Sequence, residues 1–267
     1  MRRIGSIVFW TFLVGSCPPL FLLGLCVWLV TRPFDPLGRV QHLYSCAWAQ
    51  LYFWVNPFWQ LRIEGREKLP WKGAAVLVSS HESLGDILAL FGLYRPYKWV
   101  SKASVFRVPF VGWNMRLNGY VPLVRGDKQS ILRMMDACRR WLDRQVPVMI
   151  FPEGTRSEDG TKVGPFKDGA FRLAIDAGCP VYPIVVHGTS RSLPKHGFVI
   201  RENARCVVRV LDPVDPKPFG DDVSALRDHV RALIVDAKDR LVREDERREK
   251  APAPSSQRVE SSPPGPA

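Results

Sequence analysis

Residues 4–30, IGSIVFWTFLVGSCPPLFLLGLCVWLV, run for 27 positions without a charge. A straight helix of that length reaches about 40 Å, more than the roughly 30 Å hydrocarbon core of a bilayer. Such a run can be a membrane segment or a cleaved leader, but not an ordinary surface helix. Against a leader, the run is about twice the usual length of a leader's apolar core, and no small-x-small cleavage site follows it. Pro18 and Pro19 sit mid-run and predict a kink or break. A second uncharged stretch, Leu43–Leu61, holds seven aromatics in 19 residues, three of them Trp. That density reads as an interfacial belt, with a helix buried against the rest of the chain as the alternative. Two arrangements stay open: a single span over 4–30, or 4–30 and 43–61 as a helical pair dipping into one leaflet. The basic residues on both sides of the first segment leave its orientation open.

Beyond about Lys72 the pattern changes to short apolar runs alternating with helical periods. Ala74–Ser79, Lys98–Ser101, Tyr120–Val124, Val146–Phe151, Pro180–Val186 and Arg205–Leu211 read as strands. Ser83–Tyr94, Asp127–Gln145, Lys167–Ala177 and Val223–Val242 read as helices. Asp127 is the expected N-cap of the second, with Ile131, Met135, Cys138 and Leu142 on its buried face. Gly178 is the expected stop of the third. This alternation predicts an α/β layered domain with a largely parallel sheet flanked by helices, following N-terminal membrane-embedded helices. The expected organisation is 1–62 membrane-anchoring helices, 63–243 α/β domain and 244–267 a disordered tail rich in charge, then Pro and Ser.

With 38 Lys+Arg against 26 Asp+Glu, the net charge of +12 favours anionic partners. Between Asp86 and Asp127 stand Arg95, Lys98, Lys102, Arg107, Arg116 and Arg125 with no acidic residue. A solvated basic face explains this as well as an anion-binding cleft does. Nucleic acid is not the expected partner, because no zinc, helix-turn-helix or RNP-type motif is present. The six cysteines show no CxxC or metal-ligand spacing and read as reduced thiols.

Two polar blocks follow expected strands. His81-Glu82-Ser83-Leu84-Gly85-Asp86 opens a helix, and Ser83 and Asp86 have the spacing of a capping arrangement. A first-turn carboxylate can also reach back to His81, hold one imidazole nitrogen and leave the other as a base. Either role satisfies the spacing. Phe151-Pro152-Glu153-Gly154-Thr155-Arg156-Ser157 forms a turn from which Glu153, Thr155 and Arg156 emerge. Arg156 can fork onto a phosphate, or pair with Glu153 or Asp159 and merely shape the loop.

Together these blocks resemble the membrane-associated glycerolipid acyltransferases, most closely the 1-acylglycerol-3-phosphate acyltransferases. The HxxxxD block is His81–Asp86. A second block runs from Lys102 through Phe106, Pro109 and Gly112 to Gly119 and Arg125. The third is FPEGTRS at 151–157, continuing to Gly169, and the fourth runs from Val181 to Thr189. The resemblance covers about 72–212. Many members have Asn before the motif histidine, where this chain has Ser80. The resemblance implies acyl transfer from acyl-CoA or acyl-carrier protein to the sn-2 hydroxyl of lysophosphatidic acid at a membrane. The active site would face the cytoplasm. His81 and Asp86 would be catalytic. Lys102, Arg125, Glu153, Gly154, Thr155 and Arg156 would bind substrate. No metal or cofactor is implied. Another lysophospholipid, lyso-ornithine lipid or glycerol-3-phosphate as acceptor, or a non-catalytic lipid-binding role, are the alternatives.

Overall fold

The computed structural model describes residues 2–157, 160, 162–192 and 204–250. Helix α1, Arg2–Thr31, and helix α2, Arg39–Trp54, form an antiparallel pair. They are followed by β1 Trp59–Glu64, β2 Val76–Ser79, α3 Gly85–Phe91, β3 Lys98–Lys102, α4 Val111–Leu117, β4 Val121–Leu123 and α5 Lys128–Asp143. The remainder is β5 Val148–Ile150, α6 Gly169–Ala177, β6 Val181–His187, the single turn α7 Thr189–Ser192, β7 Ala204–Val210 and α8 Val223–Lys250. Among the described residues seven strands form one sheet in the order β1-β7-β6-β2-β5-β3-β4. Every neighbouring pair is parallel except β6–β7.

Strand β2 lies mid-sheet, and all four of its residues are buried. Apolar residues on both of its faces follow from helices covering both sides of a parallel sheet. Leu77, Met149, Ile184 and Val208 face one core with α1, α2 and α3. Val76, Val78, Val148 and Ile150 face the other with α5, α6 and α8. The alternation has the period of two that a strand imposes.

Asp127 caps α5 as expected, its carboxylate accepting from the Ser130 amide at 3.1 Å. The buried line of α5 is Ser130, Met134, Cys138 and Leu142, and Ile131 is 39% exposed. Cys138 and Leu142 lie inward as expected, whereas in the first half of the helix Ser130 and Met134 take the inward places expected of Ile131 and Met135. Ser130 is held inward because its hydroxyl accepts from the Val124 amide at 2.8 Å. All six cysteines are free thiols.

The N-terminal region differs from its reading in three ways. Helix α1 continues through Pro18 and Pro19, so of the expected kink or break the break is absent. The stretch 43–61 is not one helix: α2 ends at Trp54, and Trp59 opens the edge strand β1, paired in parallel with β7. A boundary at residue 62 therefore cuts a strand of the sheet. The aromatics also divide. Trp48, Tyr52, Phe53 and Trp59 lie in the core, whereas Trp54 is 68% exposed. The polar face of α2 is buried too: His42 Nδ1 meets the Tyr120 hydroxyl at 2.8 Å, and the Gln41 amide donates to Asn114 at 2.9 Å. Helix α2 is thus docked on the α/β domain. Helix α1 keeps an uncovered apolar face that includes Ile7, Val14, Leu22 and Val30. Ile4–Thr31 is long and apolar enough to cross a membrane by length and composition. At the other end, α8 runs to Lys250, seven residues beyond the expected domain end at 243. Residues 251–267 lie outside the described residues.

Candidate active site

Parallel strands end at one edge of a sheet, and groups that follow them share that edge. His81 follows β2. Phe151–Arg156 follows β5, next to β2, while Lys102 ends β3 and Arg125 follows β4. Thr189 follows β6, on the other side of β2. The sheet order therefore gathers most of the candidate residues around His81.

The central contact joins His81 Nδ1 to Asp86 Oδ2 at 2.6 Å. Asp86 is fully buried in the first turn of α3. Its Oδ2 also accepts from the Glu82 amide at 2.6 Å and the Ser83 amide at 2.9 Å. Its Oδ1 accepts from the Thr189 hydroxyl. The capping role and the histidine-orienting role, alternatives in the sequence, coexist in one carboxylate. Ser83 supplies the reciprocal turn contact, its hydroxyl accepting from the Gly85 amide at 3.0 Å. An acceptor-only carboxylate fixes Nδ1 of a neutral imidazole as the N–H. Nε2 then carries the lone pair, and it has no hydrogen-bond partner among the described residues.

The imidazole plane is set by a second contact. The His81 ring stacks on Phe151, centroids 4.0 Å apart and planes 14° from parallel. Phe151 in turn lies against Trp99 at 5.4 Å. The Ser157 amide donates to the His81 carbonyl at 2.8 Å, joining the third block to the first. Ser80, where many relatives of the resemblance have Asn, accepts from the Val186 amide of β6 at 3.1 Å. The substitution leaves the strand end tied down.

Glu153 is buried, with both carboxylate oxygens engaged by backbone amides. One oxygen accepts from the His81 amide at 2.9 Å and the other from the Gly164 amide at 2.7 Å. Burial pushes its carboxyl up from the ordinary range, and the two backbone donors oppose that. In this geometry it braces the His81 strand end and the 151–164 loop against each other.

Gly154 adopts φ +68, a left-handed turn conformation that favours glycine. It turns the chain so that Thr155 is exposed and Arg156 half-buried. Arg156 has no hydrogen bond or ion pair among the described residues, to Glu153 or otherwise. Lys102 and Arg125 are exposed. Neighbouring strands are about 4.8 Å apart, so Arg156 starts one strand from His81, Lys102 two and Arg125 three, roughly 14 Å away. By strand count Arg156 stands nearest His81 of the three cations and Arg125 farthest. Among the described residues no three His, Cys, Asp or Glu side chains gather as a metal site would require.

Sequence reasoning left two partners of this site without a role. Glu82 is buried, and its carboxylate accepts from the Thr189 hydroxyl and the Ser190 amide, each at 3.2 Å. Its other oxygen meets the Lys238 ammonium from α8. The available signal was a lysine on the buried line of α8, between Ile234 and Leu241.

Comparison with known proteins gives a consistent result. A family model described as Acyltransferase matches residues 60–187. A 1-acyl-sn-glycerol-3-phosphate acyltransferase of Chlamydomonas reinhardtii is 40% identical over 198 residues, covering 73% of this chain and 58% of its own. The chloroplastic enzyme LPAT1 of Arabidopsis thaliana is 36% identical, with 77% and 56% covered. The chain thus spans under three fifths of the length of these two relatives. A 1-acyl-sn-glycerol-3-phosphate acyltransferase of Salmonella typhimurium is 31% identical over 185 residues, with 67% of this chain and 74% of the relative covered. In structure, the chain is similar to the crystal structure of the 1-acyl-sn-glycerophosphate acyltransferase PlsC from Thermotoga maritima. The TM-score is 0.77 at 25% identity, with 90% of this chain and 98% of that one covered.

Proposed function

The chain belongs to the acyltransferase family, and on that premise we propose that it moves a fatty acyl group from a thioester to the sn-2 hydroxyl of lysophosphatidic acid. The product is phosphatidic acid, a precursor of membrane phospholipids. The observation that carries this reading is His81 held through Nδ1 by a buried carboxylate, with Nε2 left as the free base. Nε2 takes the proton of the acceptor hydroxyl as its oxygen attacks the thioester carbonyl. The tetrahedral intermediate collapses by breaking the carbon–sulfur bond. The imidazolium returns its proton to the leaving thiolate, and His81 is neutral again. Asp86 keeps the productive tautomer and stabilises the transient imidazolium. No serine or cysteine nucleophile is needed, because the activated acceptor hydroxyl plays that part.

Arg156 is assigned to the acceptor's phosphate, with Lys102 next and Arg125 at the periphery; Thr155 and the Gly154 backbone line the same turn. The sn-2 hydroxyl lies a few bonds from that phosphate, so its anchor has to stand close to His81. Arg presents a planar fork to two phosphate oxygens. The donor is acyl-CoA or acyl-carrier protein, and the chemistry calls for no cofactor beyond the thioester. The apolar outer face of α1 fits an acceptor and product that reside in a bilayer, with catalysis on the cytoplasmic side. The test crosses acyl-CoA and acyl-carrier protein with lysophosphatidic acid, other lysophospholipids and glycerol-3-phosphate in detergent micelles. Phosphatidic acid formed from lysophosphatidic acid, and lost in His81→Ala, supports the reading. Turnover confined to another acceptor, or retained in His81→Ala, overturns it.

A further inference from the structure

Behind the His81–Asp86 pair lies a second buried carboxylate, Glu82, exposed by only 3%. Thr189 stands between the two acids. Its single hydroxyl is within hydrogen-bond reach of Asp86 Oδ1 and, at 3.2 Å, of Glu82 Oε2. A hydroxyl carries one hydrogen and can serve only one of them at a time. What frees it for Asp86 is the company Glu82 keeps. The Lys238 ammonium, 2% exposed, meets Glu82 Oε1 and donates to the Val186 carbonyl at 2.9 Å. The Ser190 amide covers Oε2. The other titratable groups facing this cluster are His187, with Nδ1 3.7 Å from Glu82, and Asp245, paired with Arg191 at 2.9 Å and 3.4 Å from His187. Burial pushes His187 below its ordinary range, so at neutral pH it brings no charge to Glu82. Burial also pushes Lys238 down to about 7, while the touching carboxylate pulls the other way. With one proton held between Nζ and Oε1, the Lys238–Glu82 pair is neutral as a whole.

We propose that Lys238 is a positioning residue for catalysis: by neutralising Glu82 it leaves the Thr189 hydroxyl to Asp86, which is thereby fixed toward His81. Lys238 belongs to α8, outside the family-matched residues 60–187. Without it, a bare buried anion competes with Asp86 for Thr189, or Glu82 takes up a proton and becomes a donor that disturbs the same network. A buried charge stripped of its partner is the costly case; removing both partners is far milder.

The proposal deepens the acyl-transfer reading and rests on it, so the experiment carries a readout that does not need substrate. Lys238→Met and Glu82→Gln/Lys238→Met are compared with the wild-type chain in detergent micelles. The measurements are kcat, both KM values, thermal melting, and the low-field proton resonance of the His81 Nδ1–H in protein labelled with nitrogen-15 histidine. Lys238→Met is expected to lower kcat by about ten- to a hundredfold with both KM values within about twofold. It should also lose or shift the Nδ1–H resonance. The double variant should restore the resonance and bring kcat back to within about threefold of wild type. A folded Lys238→Met with wild-type kcat and resonance overturns the proposal. So does a double variant as impaired as the single, and that comparison stands even if Lys238→Met alone does not fold. A wild-type chain that transfers no acyl group sinks the functional reading instead, and the resonance then decides the role of Lys238 on its own.

Discussion

Replacing Asp86 separates its two jobs. In Asp86→Ala the Glu82 and Ser83 amides lose their acceptor inside a fully buried turn. Each unsatisfied buried donor costs about 1–3 kcal/mol, so this substitution should destabilise the chain by about 2–6 kcal/mol. That is a large share of the roughly 5–15 kcal/mol that holds a domain folded. Asp86→Asn should behave differently. The two amides and the His81 N–H all demand an acceptor at the Oδ2 position, so the Asn oxygen must sit there. The Asn NH₂ then lies at the Oδ1 position, opposite Thr189. The Thr189 hydroxyl can accept from it and turn its own hydrogen to Glu82 Oε2, 3.2 Å away. Every hydrogen bond survives, and the His81 tautomer is kept. What disappears is the negative charge beside the imidazolium. At about 4 Å and an effective dielectric near 20 that charge is worth about 4 kcal/mol, a ceiling of roughly 10³ in rate. Asp86→Asn should therefore lower kcat by about 10²–10³ while melting within a few degrees of wild type. The check is phosphatidic acid formation from lysophosphatidic acid and acyl-CoA in micelles, beside thermal melts of both variants. Turnover by Asp86→Asn within about threefold of wild type, or an Asn variant as destabilised as the Ala variant, would refute this account of the carboxylate.

Four further outcomes are expected. Arg156→Lys should raise the KM for lysophosphatidic acid about tenfold or more with a smaller effect on the donor, read from steady-state kinetics, because Lys cannot reproduce the bidentate fork. Burial holds the His42 imidazole down at about 3 against an ordinary 6.5, with the nearby Lys98 adding to the shift. Its stability contribution is complete above about pH 6.5 and is lost as pH falls toward 3, by at most about 5 kcal/mol, so denaturant titrations of wild type should slope across that window and those of His42→Gln should slope less. Gly188, at φ +86, leads into Thr189, and a Cβ there would collide with the Arg205 carbonyl; Gly188→Ala should lower both melting temperature and kcat. Deleting 1–62 removes α2 and most of β1 and bares the core around Leu77, Leu90 and Val208, so the product should aggregate, as light scattering would register, rather than behave as a detached α/β domain.

The sequence by itself determined the layer architecture, six of the seven described strands and the residues at their ends, but neither the edge strand β1 nor helix α4. Period-two apolar runs bounded by helical periods leave few alternatives to a covered parallel sheet, and a parallel sheet sends His81, Thr155, Arg156 and Lys102 to one edge. It also determined that His81 and Asp86 lie within reach, since a first-turn carboxylate can fold back on the residues before its helix. It could not determine that Asp86 caps and orients at once, because local spacing fits either role. The buried polar face of α2 was hidden by its aromatics, whose composition is the same for a membrane belt and for a core. Nor could spacing show whether Glu153 faces outward to a ligand or inward to the His81 and Gly164 amides. Both readings place a carboxylate on the same turn, and only the position of the partner amides chooses between them. The Lys238–Glu82 contact joins residues 156 positions apart in the chain. A charge becomes a partner for another only when packing removes water from both, and that desolvation is a property of the assembled layers rather than of any segment.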